Sequence, residues 1–397
     1  MSTPSWSDDT NKRRTQTQLN DQFFAGDVFA GGLNVVEGEA LDVVGAATAV
    51  GNTAAAHAEG ADLDLRSRQE LLGEVESQSF IQVGEVTNSL VNSATSFGNA
   101  LSSAVVEADA WVDIEQSTGE QAVIAADAQT QATGDLTRSS TAGFASANAA
   151  SAFVETGALE GYVEQETQAD VGAWAGVVAD DLEDFAQSNA VVTANAVTAE
   201  GWDADISLDV EQRNSGAIVQ AGSNIFADTG DDVISNGTAA SNSIAIHNEG
   251  IDVDLRADQT NEAFVQGESV VTLDRFIGQN ASTAFGVGNT ALVSNFGFDG
   301  DLVIDQDNRG PVEGIATFTG GAGQPGSSVA VNAAAFGNAA SGQVITAGGG
   351  AIDGQVRQSS IQDVTSQAQV SVGGAGQVFG TSTAVGNSAT IQTRRGN

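Results

Sequence analysis

The strongest constraint on this chain is a short asparagine motif, set among small residues, that returns at a nearly fixed interval. Ala49-Val50-Gly51-Asn52-Thr53-Ala54 is its first copy, and the recurring asparagines are Asn52, Asn99, Asn148, Asn195, Asn242, Asn289, Asn338 and Asn387. Successive gaps are 47, 49, 47, 47, 47, 49 and 49 residues. A second landmark keeps step: Gln69, Gln116, Gln165, Gln212, Gln259 and Gln306 each lie 17 residues beyond the preceding asparagine. In the seventh copy the matching Gln358 comes 20 residues after Asn338, beside the run Gly348-Gly349-Gly350. A fixed period of this length specifies a repeat architecture, in which each unit buries its apolar face on its neighbours.

Turn signals divide each unit in two. One set follows the asparagine (Glu59-Gly60, Glu200-Gly201, Asn248-Glu249-Gly250) and the other precedes it (Gly134-Asp135, Asp228-Thr229-Gly230-Asp231, Gly373-Gly374). Gly, Asp and Asn supply the positive φ and local hydrogen bonds that turns need. The intervening segments, A with the asparagine and B with the glutamine, alternate with period two, the signature of strands. In B, Leu63, Leu65 and Gln69 share one side, while Asp62, Asp64 and Arg66 share the other. In A, the asparagine shares its side with Val50, Phe97, Leu101, Val197, Ile244, Val287, Phe336 and Val385. The opposite side of A holds only small residues such as Ala49, Gly98, Ala147, Ala239 and Gly337, and is expected to form a flat neutral outer face.

The expected fold is all-β: an elongated β-solenoid, or β-helix, of about eight stacked repeats of 47–49 residues. Equivalent residues then lie about 4.8 Å apart along the axis. A buried amide is costly unless paired, and stacked amides pair by donating to one neighbour and accepting from the other. The eight asparagines and the six glutamines are therefore expected to form internal ladders. A column of like charges is destabilising, so the outward carboxylates are expected to be spread laterally or screened by cations.

Residues 1–20 read as a disordered polar tail, 21–44 as a partial repeat or N-terminal cap, and 45–397 as the repeat domain. The formal charge is −39, from 52 acids and 13 bases, with Lys12 the only lysine. Such a surface repels nucleic acid. With no cysteine there is no disulfide framework, thiol nucleophile or Cys-based metal site. Met1–Gln18 has no apolar core and is not a secretory signal as written, and no run approaches the roughly 18 apolar residues of a membrane span.

No unique chemical site stands out. His57 and His247 sit at one phase, four repeats apart, and read as outward polar residues. Asp180-Asp181-Leu182-Glu183-Asp184 and Asp228-Thr229-Gly230-Asp231-Asp232 offer hard oxygens for Ca²⁺, but solvated turn acids explain them more simply, and the expected cofactor is none. Paired carboxylates on a β-helix serve as acid and base in glycosidases; here acids recur in nearly every unit, as a structural rule would place them. Nucleotide, phosphate, serine-hydrolase and zinc-protease motifs are absent. Trp6, Trp111, Trp174 and Trp202 share no phase, and the small face lacks the regular Thr-x-Thr of an ice-binding column.

Gly51-Asn52-Thr53-Ala54 and Gly386-Asn387-Ser388-Ala389, with the downstream glutamine, resemble curlin repeats of bacterial surface amyloids, whose units are about half as long. Across residues 21–397 the long Ala/Gly/Val/Asn-rich repeats, acidic and nearly free of lysine, resemble the holdfast-anchor proteins of stalked bacteria (HfaD type). That resemblance implies an extracellular, outer-membrane-associated surface protein that tethers adhesive polysaccharide, acidic or neutral, alongside other anchor subunits. The expected function is non-enzymatic anchoring or spacing; the alternatives are a β-helical polysaccharide-processing enzyme and a Ca²⁺-dependent adhesion module. Open sheet edges at the ends of the stack invite end-to-end self-association.

Overall fold

A computed structural model describes residues 15–346 and 350–395, and it is all-β, with no helix among the described residues. The fifth repeat shows the plan. Segment A is Val233–Glu249, segment B is Asp252–Asn261, and a third segment, C, is Phe264–Ile277. Every segment pairs in parallel with its equivalent one repeat away: Asn242 sits opposite Asn195 on one side and Asn289 on the other, and Gln259 opposite Gln212 and Gln306. Each repeat thus contributes one layer to a stack of parallel strands.

The constancy of register explains the spacing of the motif. Where a gap lengthens from 47 to 49 residues, the additions fall in turns. Leu71 and Val75 pair with Thr118 and Ile124, so two residues enter the B–C turn there. Phe276 and Gln279 pair with Gly323 and Ser328, so two enter the C–A turn. The late position of Gln358 likewise reflects extra residues between A and B, since Gln306 and Gln358 still pair.

Segment A folds over both others. Its second half faces B, with Asn52 Nδ2 donating to the Glu70 carbonyl at 2.9 Å and Gln69 Nε2 to the Ala100 carbonyl at 3.2 Å. Its first half faces C, where hydroxyls meet across the interior: Ser77 with Ser96 at 2.9 Å, Thr130 with Thr141 at 2.9 Å, Ser223 with Ser235 and Ser269 with Ser282, both at 2.8 Å. The core is bulky at both ends and thin between them. Leu63, Leu65, Val112, Ile206 and Leu302 fill the space between A and B. Ile81, Leu90, Leu136, Phe276 and Phe318 fill the far end between A and C. The middle is mostly alanine, such as Ala126, Ala173 and Ala194.

At particular positions of the waist the two backbones come so close that not even a methyl fits. A Cβ on Gly237 would overlap the Glu268 carbonyl, and one on Gly267 the Phe285 carbonyl. The small residues before the asparagine therefore face inward, which overturns that half of the expected flat neutral outer face; those after it, such as Thr53, Ala100, Ala149 and Ser243, lie on the outer side as expected. Ala49, Gly98, Ala147, Ala239 and Gly337 are buried, while Val50, Phe97 and Phe336 are only partly so. The cause is a phase flip at the motif. Gly98-Asn99, Ala147-Asn148 and Ser241-Asn242 are pairs of consecutive buried residues. Two inward residues in a row kink the strand, and only a small residue beside the amide leaves room for it. The outer surface of A carries aromatic pairs instead, Phe97 with Phe144 at 5.3 Å and Phe285 with Phe336 at 5.5 Å between ring centroids.

The stack starts earlier than the polar composition of residues 1–20 suggests. Thr15–Phe24 is a B strand paired with Asp62–Leu71; only residues 1–14 of the expected tail lie outside the described residues. Gln16, Gln18 and Asn20 occupy the inward positions that Leu63, Leu65 and Ser67 hold in the next layer. Val28–Glu59 completes that layer as C and A. The first described layer, like the last (Ile352–Ser360, Val364–Gly374 and Gln377–Arg395), therefore has all three segments.

Candidate functional site

Two rows of amides, buried except at their ends, run through the stack. Asn52 Nδ2 donates to Asn99 Oδ1, Asn99 to Asn148, Asn195 to Asn242, Asn242 to Asn289 and Asn289 to Asn338, each at 2.8 Å; Asn148 donates to Asn195 at 2.9 Å and Asn338 to Asn387 at 2.7 Å. Each of these donors also reaches a carbonyl of the facing strand, as Asn195 Nδ2 does to Arg213 O at 3.0 Å. The glutamine row runs in the opposite sense. Gln69 Nε2 donates back to Gln22 Oε1 at 2.8 Å, Gln116 to Gln69 at 2.7 Å, and Gln165 to Gln116 at 2.8 Å. Gln212, Gln259, Gln306 and Gln358 each donate back in turn to Gln165, Gln212, Gln259 and Gln306. Gln22 begins this row; its place one 47-residue period before Gln69 was the signal in the sequence. None of these amides is among the buried polar atoms without a partner.

The outer surface of B is where the charge gathers. Parallel in-register pairing puts Arg68, Glu115, Glu164, Glu211, Asp258, Asp305 and Arg357 in one column. This corrects the expected lateral spread: five carboxylates stack vertically, because strands that share a period cannot stagger. Guanidinium groups flank the five carboxylates, with Arg68 Nε 3.6 Å from Glu115 and Arg357 Nη1 3.5 Å from Asp305, and Asp21 stands beyond Arg68 in the first layer. In its middle the Tyr162 hydroxyl donates to Glu211 Oε2 at 3.1 Å and Glu164 Oε2 at 3.3 Å. Partial burial, then the neighbouring Glu211, pushes the Glu164 carboxyl above the usual carboxylate range. Burial and then the flanking Glu211 and Asp305 do the same to Asp258, and burial and then Asp301 to Asp254. The Tyr162 phenol is driven up as well, first by burial and then by Glu164 and Glu211.

Beside this column lies a shallow groove of about 470 Å³, lined by Trp111, Tyr162, Asp209, Asp254, Arg256 and Asp301 among others. At one end the Arg66 guanidinium lies 5.3 Å from the centre of the Trp111 ring. The other described tryptophans are elsewhere: Trp174 on the outside of C, and Trp202 against Phe153 at 6.2 Å. An aromatic wall beside carboxylates and a guanidinium can stack on a ring and hydrogen-bond its hydroxyls or amines.

The turn acids have structural work. Asp62 Oδ1 accepts the Asp109 amide at 3.3 Å, Asp109 the Ala158 amide at 3.0 Å, Asp252 the Asp299 amide at 3.1 Å and Asp299 the Ala351 amide at 2.8 Å. Asp232 accepts the Gln279 amide at 2.6 Å. Among the described residues no group of three or more His, Cys, Asp or Glu side chains is placed to hold a metal ion. His247 Nε2 lies 3.5 Å from Glu249, with its ring against Phe296.

The pKa directions predict an unusual response to acid. A carboxyl whose pKa is raised by folding binds more protons folded than unfolded, so its contribution to stability falls as pH rises from the unfolded value through the folded one. Glu164, Asp254, Asp258 and Asp231 are all raised. The melting temperature is therefore expected to rise on acidification from neutrality toward the ordinary carboxylate pKa of about 4, and to rise with added salt at neutral pH. A melting temperature that falls steadily from pH 7 to pH 5 contradicts this.

A family model described as Holdfast attachment protein D matches residues 37–311. The chain belongs to the holdfast attachment protein D family. No curated protein and no solved structure matches it. Membership of the holdfast attachment protein D family gives the chain a role in holdfast attachment and a place at the cell surface. The matched span runs from the first A segment to the end of the sixth B segment, and the asparagine row continues beyond it through Asn338 and Asn387. No helix among the described residues is long and apolar enough to cross a membrane.

Proposed function

We propose that the stacked strands wind as one β-solenoid, and that this body is a non-enzymatic spacer that holds adhesive polysaccharide at the outer surface of the cell together with other holdfast components. The observation that carries the reading is the asparagine row, unbroken from Asn52 to Asn387. A hydrogen-bonded stack of eight layers is on the order of 40 Å long and resists bending, because every layer is bonded to the next along its whole circumference. The outer face of B repeats one chemistry, which suits contact with a repeating polymer better than one reaction at one bond. Deleting the gene is expected to shed cells from surfaces while the polysaccharide is still made and exported. Cells that keep their polysaccharide after deletion would remove the anchoring role, and sugar released from purified polysaccharide by the protein would favour an enzyme.

The same reading assigns no metal to the fold. Asp62, Asp109, Asp252 and Asp299 already accept main-chain amides, so the turns need no cation to close. The melting temperature is expected to be unchanged by EDTA; a fall of several degrees, reversed by Ca²⁺, would instead support the Ca²⁺-dependent adhesion module.

A further inference from the structure

The two ends of the stack are different, and they complement each other. At the N-terminal end the asparagine row stops on the carbonyl oxygen of Asn52, and the glutamine row on the amide group of Gln22, which donates only to the Thr53 carbonyl at 2.9 Å. At the C-terminal end the rows stop on the Asn387 amide group and the Gln358 carbonyl oxygen. Each row therefore offers an acceptor at one end and a donor at the other. Charge divides the same way. The first layer, residues 15–59, holds Asp21, Asp27, Glu37, Glu39, Asp42 and Glu59 and no Lys or Arg. The last, residues 352–395, holds Asp353 and Asp363 against Arg357, Arg394 and Arg395. Both layers present a full A, B and C edge, with inward residues such as Phe24, Val28, Val356 and Val364 only half-buried.

We infer that the C-terminal layer of one copy stacks in parallel on the N-terminal layer of a second copy, continuing the register of the internal layers across the junction. Placing Asn387 under Asn52 and Gln358 under Gln22 of the next copy fixes every other contact. Arg357 precedes Gln358 as Asp21 precedes Gln22, so the two face each other, as Asp21 already faces Arg68 within the chain. Arg394 stands seven residues beyond Asn387 and Glu59 seven beyond Asn52, so these face each other too. A reversed contact loses both pairs. Two N-terminal ends would bring six acids against six, and strands would run antiparallel with no register to share. A contact between unlike ends does not close on itself and so propagates as a filament. Gln16, Gln18 and Asn20 keep the inner surface of the N-terminal layer wettable, which makes the association reversible and concentration-dependent. The inference rests on the stacked reading above, but not on the anchoring role.

Because the chain has no cysteine, the polarity is directly testable with the full-length protein. Thr17 and Asp353 lie at the two ends of one outward column, so across the junction their Cα atoms approach to about 5 Å, within disulfide range. An oxidised mixture of Thr17→Cys and Asp353→Cys proteins is expected to give cross-linked dimer, and neither variant alone. Sedimentation across concentrations reads the energetics. Arg357→Glu with Arg394→Glu is expected to weaken association about tenfold or more, and adding Asp21→Arg with Glu59→Arg to restore it, with unchanged circular dichroism throughout. Cross-linking of either single variant with itself, a strictly monomeric parent, or no rescue by the fourfold swap overturns the proposal. A monomeric parent whose cells still retain polysaccharide removes this inference and leaves the anchoring role standing.

Discussion

Asn195→Leu is expected to destabilise the protein by about 3–6 kcal/mol, although leucine has nearly the same volume. The Asn195 side chain accepts from Asn148 at 2.9 Å and from the Thr167 hydroxyl at 2.7 Å, and donates to Arg213 O at 3.0 Å and Asn242 Oδ1 at 2.8 Å. Leucine removes all four bonds and leaves the partner groups buried, at roughly 1–3 kcal/mol for each that finds no substitute. Asn52→Leu, at the open end of the row, strips only the Glu70 carbonyl and the Asn99 oxygen, and is expected to cost less than half as much. Long repeat arrays lose cooperativity when an internal contact fails, so urea unfolding of the Asn195 variant should split into two transitions. Equal, small losses for the two variants would show that the amides fill space and little more.

Gly237→Val is expected to abolish soluble folded protein. The Cβ alone would overlap the Glu268 carbonyl, which is backbone on the facing segment and held by pairing on both sides. Ala190 and Ala284 occupy the same column in the adjacent layers, so a methyl is the largest side chain this column holds there. A branched side chain at 237 forces segment A away from segment C and opens the waist in the layers on either side. Ala284→Gly serves as the control and should cost about 1 kcal/mol, the ordinary price of extra backbone freedom. Recovery of Gly237→Val as soluble protein melting within a few degrees of the parent would refute the waist as described.

The asparagine and glutamine rows were legible because a fixed period in a parallel stack translates directly into vertical contact. Insertions did not blur them, since each fell in a turn and left Gln358 paired with Gln306. The division of the second segment into B and C was not legible. Gly26, Gly73, Gly119, Gly216 and Gly310-Pro311 mark that bend in five layers, but the signal is intermittent; near Asn261–Ala263 no glycine or proline stands, and Asn261 makes the bend locally, its Oδ1 accepting the Ala263 amide at 3.1 Å. The orientation of A before the motif was misread for a related reason. Alternation assigns faces correctly only while it is unbroken, and Gly98-Asn99 breaks it. The small residues look like a surface stripe in sequence, and only the closeness of Gly237 to Glu268 shows that they line a contact between backbones. The carboxylate column from Glu115 to Asp305 was present in the spacing, but the expectation that like charges avoid one another hid it. Its flanking arginines, its exposure and Tyr162 make the stacking tolerable without removing its cost.

The opposed senses of the two amide rows have a consequence for length. Asparagine N–H groups point toward the C-terminal end and glutamine N–H groups toward the N-terminal end. Their dipoles run antiparallel and largely cancel, as backbone dipoles do in a sheet. Had both rows pointed one way, every added layer would have enlarged an axial field, as in a helix. Duplication or loss of a whole repeat therefore leaves the axial dipole of the amide rows nearly unchanged, so that term does not limit the reach of the molecule as it varies by gene-level steps of one period.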